Sequence, residues 1–225
     1  MKGTIVTEDF KAACREYFYL IGRDYPERGT LKLVGDRRRL SRDQRTVLYR
    51  GISSSLHAAR RSKKLTRQIT GCRMLVDGYN VLFTLLNYRL GRFLFLSTDR
   101  YLRDAGALHG KIRNEALLRE CAGLMMVYLS AERPVQIDIY LDSPVSHSQK
   151  HAGLLQAMMD EHGLKGTCYV VHSADWPLKR LNNGIIATSD SVILDQSEAP
   201  VFDLSRHILE RAFQATFVDL KEYCM

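Results

Sequence analysis

Cysteine is scarce in this sequence, and what there is lies scattered. Cys14, Cys72, Cys121, Cys168 and Cys224 form no CxxC pair, and no histidines cluster with them. That spacing argues against a thiolate zinc site or a disulfide framework, and fits small buried hydrophobes in a reducing compartment. No apolar run approaches the length of a transmembrane helix, and the opening MKGTIVTEDFKAAC lacks the apolar core of a signal peptide. The expected location is the cytoplasm, with no membrane partner. Three catalytic signatures are missing too. There is no G-x-x-x-x-G-K-[ST] phosphate cradle, which argues against an NTPase, and no G-x-G-x-x-G follows the first strand, which argues against a dinucleotide site. No G-x-S-x-G elbow supports a serine-hydrolase reading of Ser143, Ser146, His147 and Ser148. These residues fit better as caps of the next helix or as contacts to substrate.

What is present is an ordinary apolar fraction, 45%, and an uneven charge. Residues 1–70 carry 17 Lys+Arg against 7 Asp+Glu, a balance of +10; residues 71–225 carry 16 against 18, a balance of −2. The asymmetry suggests a basic module facing a polyanion, joined to a nearly neutral one, although a solvated helix surface also explains the charges. The expected division is a small basic helical domain over 1–68 and an α/β domain over 69–225. In the first part, Thr7 caps a helix carrying Phe10, Ala13, Cys14, Tyr17, Phe18 and Ile21 at spacings of three and four, which stops before Tyr25-Pro26. A short second helix is expected over Leu31 to Val34, ended by Gly35. Ser41 and Gln44 fit a capping box for a third. The polar stretch from Ser53 to Thr70 reads as a further helix or a linker. Arg37-Arg38-Arg39 and Arg60-Arg61 are candidate phosphate contacts, or solvated helix faces.

From Arg73 onward strands and helices alternate. Strands are expected at Met74–Asp77, at Phe93–Leu96 carrying on to Thr98-Asp99, and at Val135–Leu141, Cys168–Val171, Ile185–Ala187 and Thr216–Val218. Helices are expected at Asn80–Leu90, from about Lys111 to Ala131, at Ser148–His162, at Asp175–Leu181 and at Asp203–Phe213. This alternation argues for a three-layer α/β/α domain with a mostly parallel sheet. Three strands end in an acid: LVD at Asp77, IYLD at Asp142 and IIATSD at Asp190. Asp175, in SADWPL, precedes a helix. The C-terminal ends of parallel strands share one edge, so these acids can converge. Crowded carboxylates repel unless a cation sits among them, and Mg²⁺ or Mn²⁺ suits oxygen ligands that could activate water beside a phosphoryl group. Helix capping or turn formation is the plainer reading of each acid taken alone.

VDGYNVL at 76–82, LD at 141–142, ADWPLKRL at 174–181 and ATSD at 187–190 resemble the motifs of the PIN-like nucleases, and most closely the branch named for its NYN domain. The whole chain, through LVGDRRRLSRDQRTVLYRG at 33–51, also resembles a prokaryotic family that pairs a short helical domain of unknown function with this α/β domain. The nuclease resemblance implies Asp77, Asp175 and Asp190 as metal-binding acids, with Asp142 a fourth, and Asn80 as a residue that holds the site together. Trp176-Pro177, the 142–148 loop and TDRYLRD at 98–104 depart from that pattern. Arg103, Ser143, Ser146 and Ser189, with Arg37 and Arg38 of the basic part, are the candidate substrate contacts. The resulting expectation is a metal-dependent nuclease-like protein whose nucleic-acid partner is RNA more than DNA, with a homo-oligomer left open. Two alternatives stand beside it: a non-catalytic nucleic-acid-binding protein on the same scaffold, and a phosphatase for a nucleotide-sized substrate.

Overall fold

Helix formation in the first part follows its caps. The Thr7 side chain accepts the Phe10 N–H and opens α1 (Glu8–Ile21). The capping box of Ser41 and Gln44 opens α3 (Arg42–Gly51). Between them α2 spans Glu27–Arg37, longer than expected at both ends. It starts directly after Pro26, and Gly35 lies inside it. A Cβ at Gly35 would run into the Arg45 guanidinium, so this glycine marks a close approach and not a helix end. Ser54 caps α4 (Ser55–Ser62), which resolves the 53–70 stretch into a helix and a connection.

In this computed structural model residues 5–105, 112, 114–181 and 183–224 are described. They fall into two compact units, which interleave along the chain. The first holds the described residues of Met1–Lys63, Gly91–Gly106 and Thr216–Met225; the second holds those of Lys64–Leu90 and Ala107–Ala215. The 1–68 and 69–225 division thus differs from the compact units, because two later segments complete the helical one.

In that helical unit the core gathers Phe10, Ala13, Cys14, Tyr17 and Ile21 of α1 with Val34, Val47, Leu48, Phe95 and Leu220. Its small sheet has the order β3-β2-β8, from β2 (Leu94–Leu96), β3 (Leu102–Asp104) and β8 (Val218–Asp219). The strand expected at Phe93–Leu96 and the one expected at Thr216–Val218 both belong here, outside the main sheet. Three-residue apolar runs do not encode which sheet they join.

The second unit is a five-stranded, all-parallel sheet in the order β5-β4-β1-β6-β7. Its strands are β1 (Arg73–Asp77), β4 (Gln136–Asp142), β5 (Gly166–Val171), β6 (Ile185–Ala187) and β7 (Val201–Phe202). The helices are α5 (Gly78–Arg89), α6 (Glu115–Glu132), α7 (Ser148–Glu161), α8 (Asp175–Lys179), α9 (Ser191–Gln196) and α10 (Leu204–Phe213). Asn114 caps α6; the expected start near Lys111 lies outside the described residues. Right-handed crossovers place the helices that lead β1 to β4 and β5 on one face and those that lead β5 to β6 and β7 on the other. The packing agrees: α5 lies against α6 and α10, α7 against α6 and β5, and α8 against α9 and β1. The fold is therefore α/β, with helices on both faces of the sheet and a helical region ahead of it. β1 is buried from Met74 to Asp77, as a central strand covered on both faces should be. Among the described residues no helix is long and apolar enough to cross a membrane.

Candidate functional site

The chain moves outward from β1 through β4 to β5, then returns to the other side of β1 for β6 and β7. The order therefore reverses between β1 and β6. In open α/β sheets the crevice at the carboxyl ends of two such strands is where ligands bind. Asp77 ends β1 there, and Thr188, Ser189 and Asp190 follow β6.

One hydrogen-bonded network joins these residues. Thr188 Oγ1 donates to Asp77 Oδ2 at 2.9 Å and accepts the Asp190 N–H at 3.1 Å. Asn80 Oδ1 accepts both the N–H and the hydroxyl of Ser189, at 2.9 and 3.1 Å. Asn80, in the first turn of α5, thus ties the end of β1 to the loop after β6. Asp77 caps α5 through the Asn80 N–H, 3.4 Å away, and Asp190 caps α9 by accepting from Val192 and Ile193. The capping expected of isolated acids is present for both. It does not account for the burial of Asp77, which leaves it 6% exposed. That burial pushes its carboxyl up to about 8. The charges of Asp190 and Asp142 push the same way, against the stabilising Thr188 hydroxyl and Asn80 N–H.

Asp142, half-buried at the end of β4, accepts the Ala174 N–H at 2.8 Å and so holds the start of α8. Asp175 comes next in the chain and pairs with Lys179 at 3.0 Å across one helical turn. The structure thus brings Asp77, Asn80, Ser189, Asp190 and Asp142 to one edge of the sheet, with Asp175 beside Asp142 through the chain. Ser143 and Ser146 are exposed in the following turn, where the Ser143 N–H bonds the Val171 carbonyl at 2.7 Å.

Three expected substrate contacts, Arg37, Arg38 and Arg103, lie in the helical unit. Arg103 is buried, and its guanidinium forms two bonds to Asp99 at 2.9 and 2.8 Å. Asp99 also accepts from Arg61 at 3.1 Å. Burial works against the Asp99 carboxylate, yet these guanidinium partners and the Ser97 hydroxyl hold it below the usual range. The 98–104 stretch therefore reads as a buried ion-pair network. Arg38 pairs with Glu16, while Arg37 is exposed, with Glu16 at 3.9 Å.

Sequence reasoning missed Thr188 as a site residue, although it stands in the TSD motif; its role depends on a bond across 111 positions. It also missed the buried pair of Tyr79 Oη and His151 Nδ1, 2.9 Å apart. The Tyr79 hydroxyl lies within electrostatic reach of Asp142, and His151 Nε2 is buried without a hydrogen-bond partner.

Among the described residues no three His, Cys, Asp or Glu stand close enough together to hold a metal ion between them. Asp77 is nonetheless a buried carboxyl with two other acids acting on it, and a cation would relieve that repulsion. The set fits an ion such as Mg²⁺, which takes one or two carboxylates and keeps several waters, better than one enclosed by protein ligands.

Two family models match this chain. The family described as a domain of unknown function, DUF5616, matches residues 66–207, most of the sheet-containing part. The chain belongs to this family. A second domain of unknown function, DUF434, matches residues 9–64, the α1–α4 region. Across nearly its full length the chain is similar to the uncharacterized protein MJ0935 of Methanocaldococcus jannaschii, with 29% identity over 206 residues, 90% of this chain and 94% of the relative. No solved structure matches.

Proposed function

We propose that this protein is a divalent-metal-dependent, nuclease-like phosphodiesterase acting on RNA, with its sheet-containing unit related to the PIN-like and NYN domains. The observation that carries the reading is Asp77: a buried carboxyl at the reversal point of a parallel sheet, raised by burial and by the charges of Asp190 and Asp142. Asp77 with one of Asp142 and Asp190 would hold Mg²⁺ or Mn²⁺ directly, the other acid acting through the ion's waters, and the metal would supply a water nucleophile and charge neutralisation at the phosphate. Asn80 and Thr188 keep the two central acids in register through the Ser189 and Asp190 backbone. Asp175, held by Lys179, stands at the rim, where it can meet substrate or the metal's waters. The excess of basic residues before residue 70 supports a polyanionic partner, and the cytoplasm is the compartment that fits such a substrate.

The open arrangement of the acids favours one alternative, a nucleic-acid-binding protein that does not cut. Incubating RNA with the purified protein separates the two. The nuclease reading expects cleavage with Mg²⁺ or Mn²⁺ and a loss of at least about a hundredfold in Asp77→Asn, whose fold is checked by circular dichroism. Wild-type protein that binds RNA and leaves it intact with either metal would sink it.

A further inference from the structure

Parallel register places a row of side chains across the sheet level with Asp77. Asp77 lies opposite Tyr140 of β4, and Tyr140 opposite Tyr169 of β5. Side chains in lateral register on a parallel sheet point to one face, so Asp77, Tyr140 and Tyr169 share it. The two tyrosine rings stack, with centroids 5.1 Å apart and planes 19° from parallel. β5 is the edge strand, and Tyr169 there is 41% exposed. Asp142, two residues beyond Tyr140, faces the same side.

A second aromatic stands on α8, the helix whose start Asp142 holds. The Ala174 N–H that bonds Asp142 fixes the start of this helix, and Trp176 is its second residue. Trp176 is 66% exposed, an unusual cost for an indole that a folding role would not require. The Arg180 guanidinium stacks over its ring, 4.2 Å from the centroid. The ring thus has a cation on it and solvent beside it. This is the same Trp-Pro step that departs from the nuclease pattern.

We infer that Trp176, with Arg180, and the Tyr140–Tyr169 stack are base-stacking platforms that receive the nucleobases of a single strand whose backbone meets the acid cluster. Aromatic faces accept any base, because every base has a π-face, and an arginine stacked on the ring adds attraction to base and phosphate alike. A single strand is the occupant that fits, since bases paired in a duplex present no free face. The proposal deepens the reading above by naming the form of its substrate, and rests on that reading for the class of ligand.

The chain's sole tryptophan gives a direct probe. Tryptophan emission of the full-length protein is titrated, in EDTA so that nothing is cut, with a short oligouridylate and with an abasic phosphodiester chain of equal length. Quenching by the oligouridylate well beyond that by the abasic chain is expected. Binding of a labelled strand followed by anisotropy should weaken about five- to hundredfold in Trp176→Ala and in Tyr169→Ala. Both positions are exposed, so the variants should keep their melting temperatures. Equal quenching by the two chains, or wild-type affinity in both variants, overturns the proposal; so does self-association of the protein that the same substitutions abolish while strand binding is unchanged. RNA left uncut with Mg²⁺ or Mn²⁺ while the quenching persists sinks only the nuclease reading. Cleavage without base-dependent quenching sinks only the platforms.

Discussion

At the scale of single residues, Asp77 carries opposing demands. It ends a buried strand, caps a helix and faces two other acids. Its folded pKa near 8, against an ordinary 3.8, has a definite consequence for stability. Between those values the folded state holds a proton that the unfolded state has lost, so this group's contribution favours folding less and less as pH rises from about 4 to about 8. Asp77→Asn removes the titration while keeping an N-cap side chain. The metal-free variant should therefore melt above wild type at alkaline pH, by a difference on the order of a few kcal/mol, and the gap should close toward pH 4. Thermal melts in EDTA across that range measure it; curves that stay parallel would remove the raised Asp77 carboxyl from the account. Asp77 was legible as a strand-end acid, because a short apolar run that stops at Asp is a local signal; Asp190 was legible through its TSD motif, and lies in the loop beyond the end of β6. Arg103 was not. Its partner Asp99 is close in sequence, but the burial of the pair depends on Arg61 of α4, 38 positions from Asp99. A charged stretch gives no local sign of which charges will be enclosed.

At the scale of elements, the DGYN turn shows why its glycine is there. Gly78 has an ordinary backbone conformation, so its freedom is not the reason. A Cβ at this position would meet Leu141 Cδ2 at 2.5 Å, Ile139 Cγ2 at 2.9 Å and the Tyr140 carbonyl at 3.1 Å. The first turn of α5 is pressed against β4, and that contact sets where Asn80 can reach Ser189. Gly78→Ala should cost about 1–3 kcal/mol in chemical denaturation, because two branched core side chains and a backbone carbonyl must give way. A loss below about 0.5 kcal/mol would show that β4 can yield, and would weaken the claim that this contact positions the site. Most long helices were legible from caps and periodicity, α1 and α3 most clearly. Some short elements were legible too, β2, β6 and α8 among them. β3, β7 and α9 were not, being too brief to show a period, and nothing local indicated that β2, β3 and β8 pair with one another in a separate small sheet.

At the scale of the whole molecule, the sequence reading of basic helices ahead of a parallel α/β sheet matches the architecture. Its boundary near residue 68 does not describe the compact units, because the segments 91–106 and 216–225 return to the helical one. Pairing between distant segments is non-local information, while composition shifts are local, which is why the one was visible and the other was not. The same division of labour holds for the site. The acids were legible one by one, and their meeting at the reversal between β1 and β6 required the strand order. The central claim is that this meeting point holds a divalent cation, and a crystal soaked in Mn²⁺ tests it most directly. The account predicts anomalous density among the carboxylates of Asp77, Asp142 and Asp190, absent from Asp77→Asn; density at none of these acids in well-ordered wild-type crystals would contradict it.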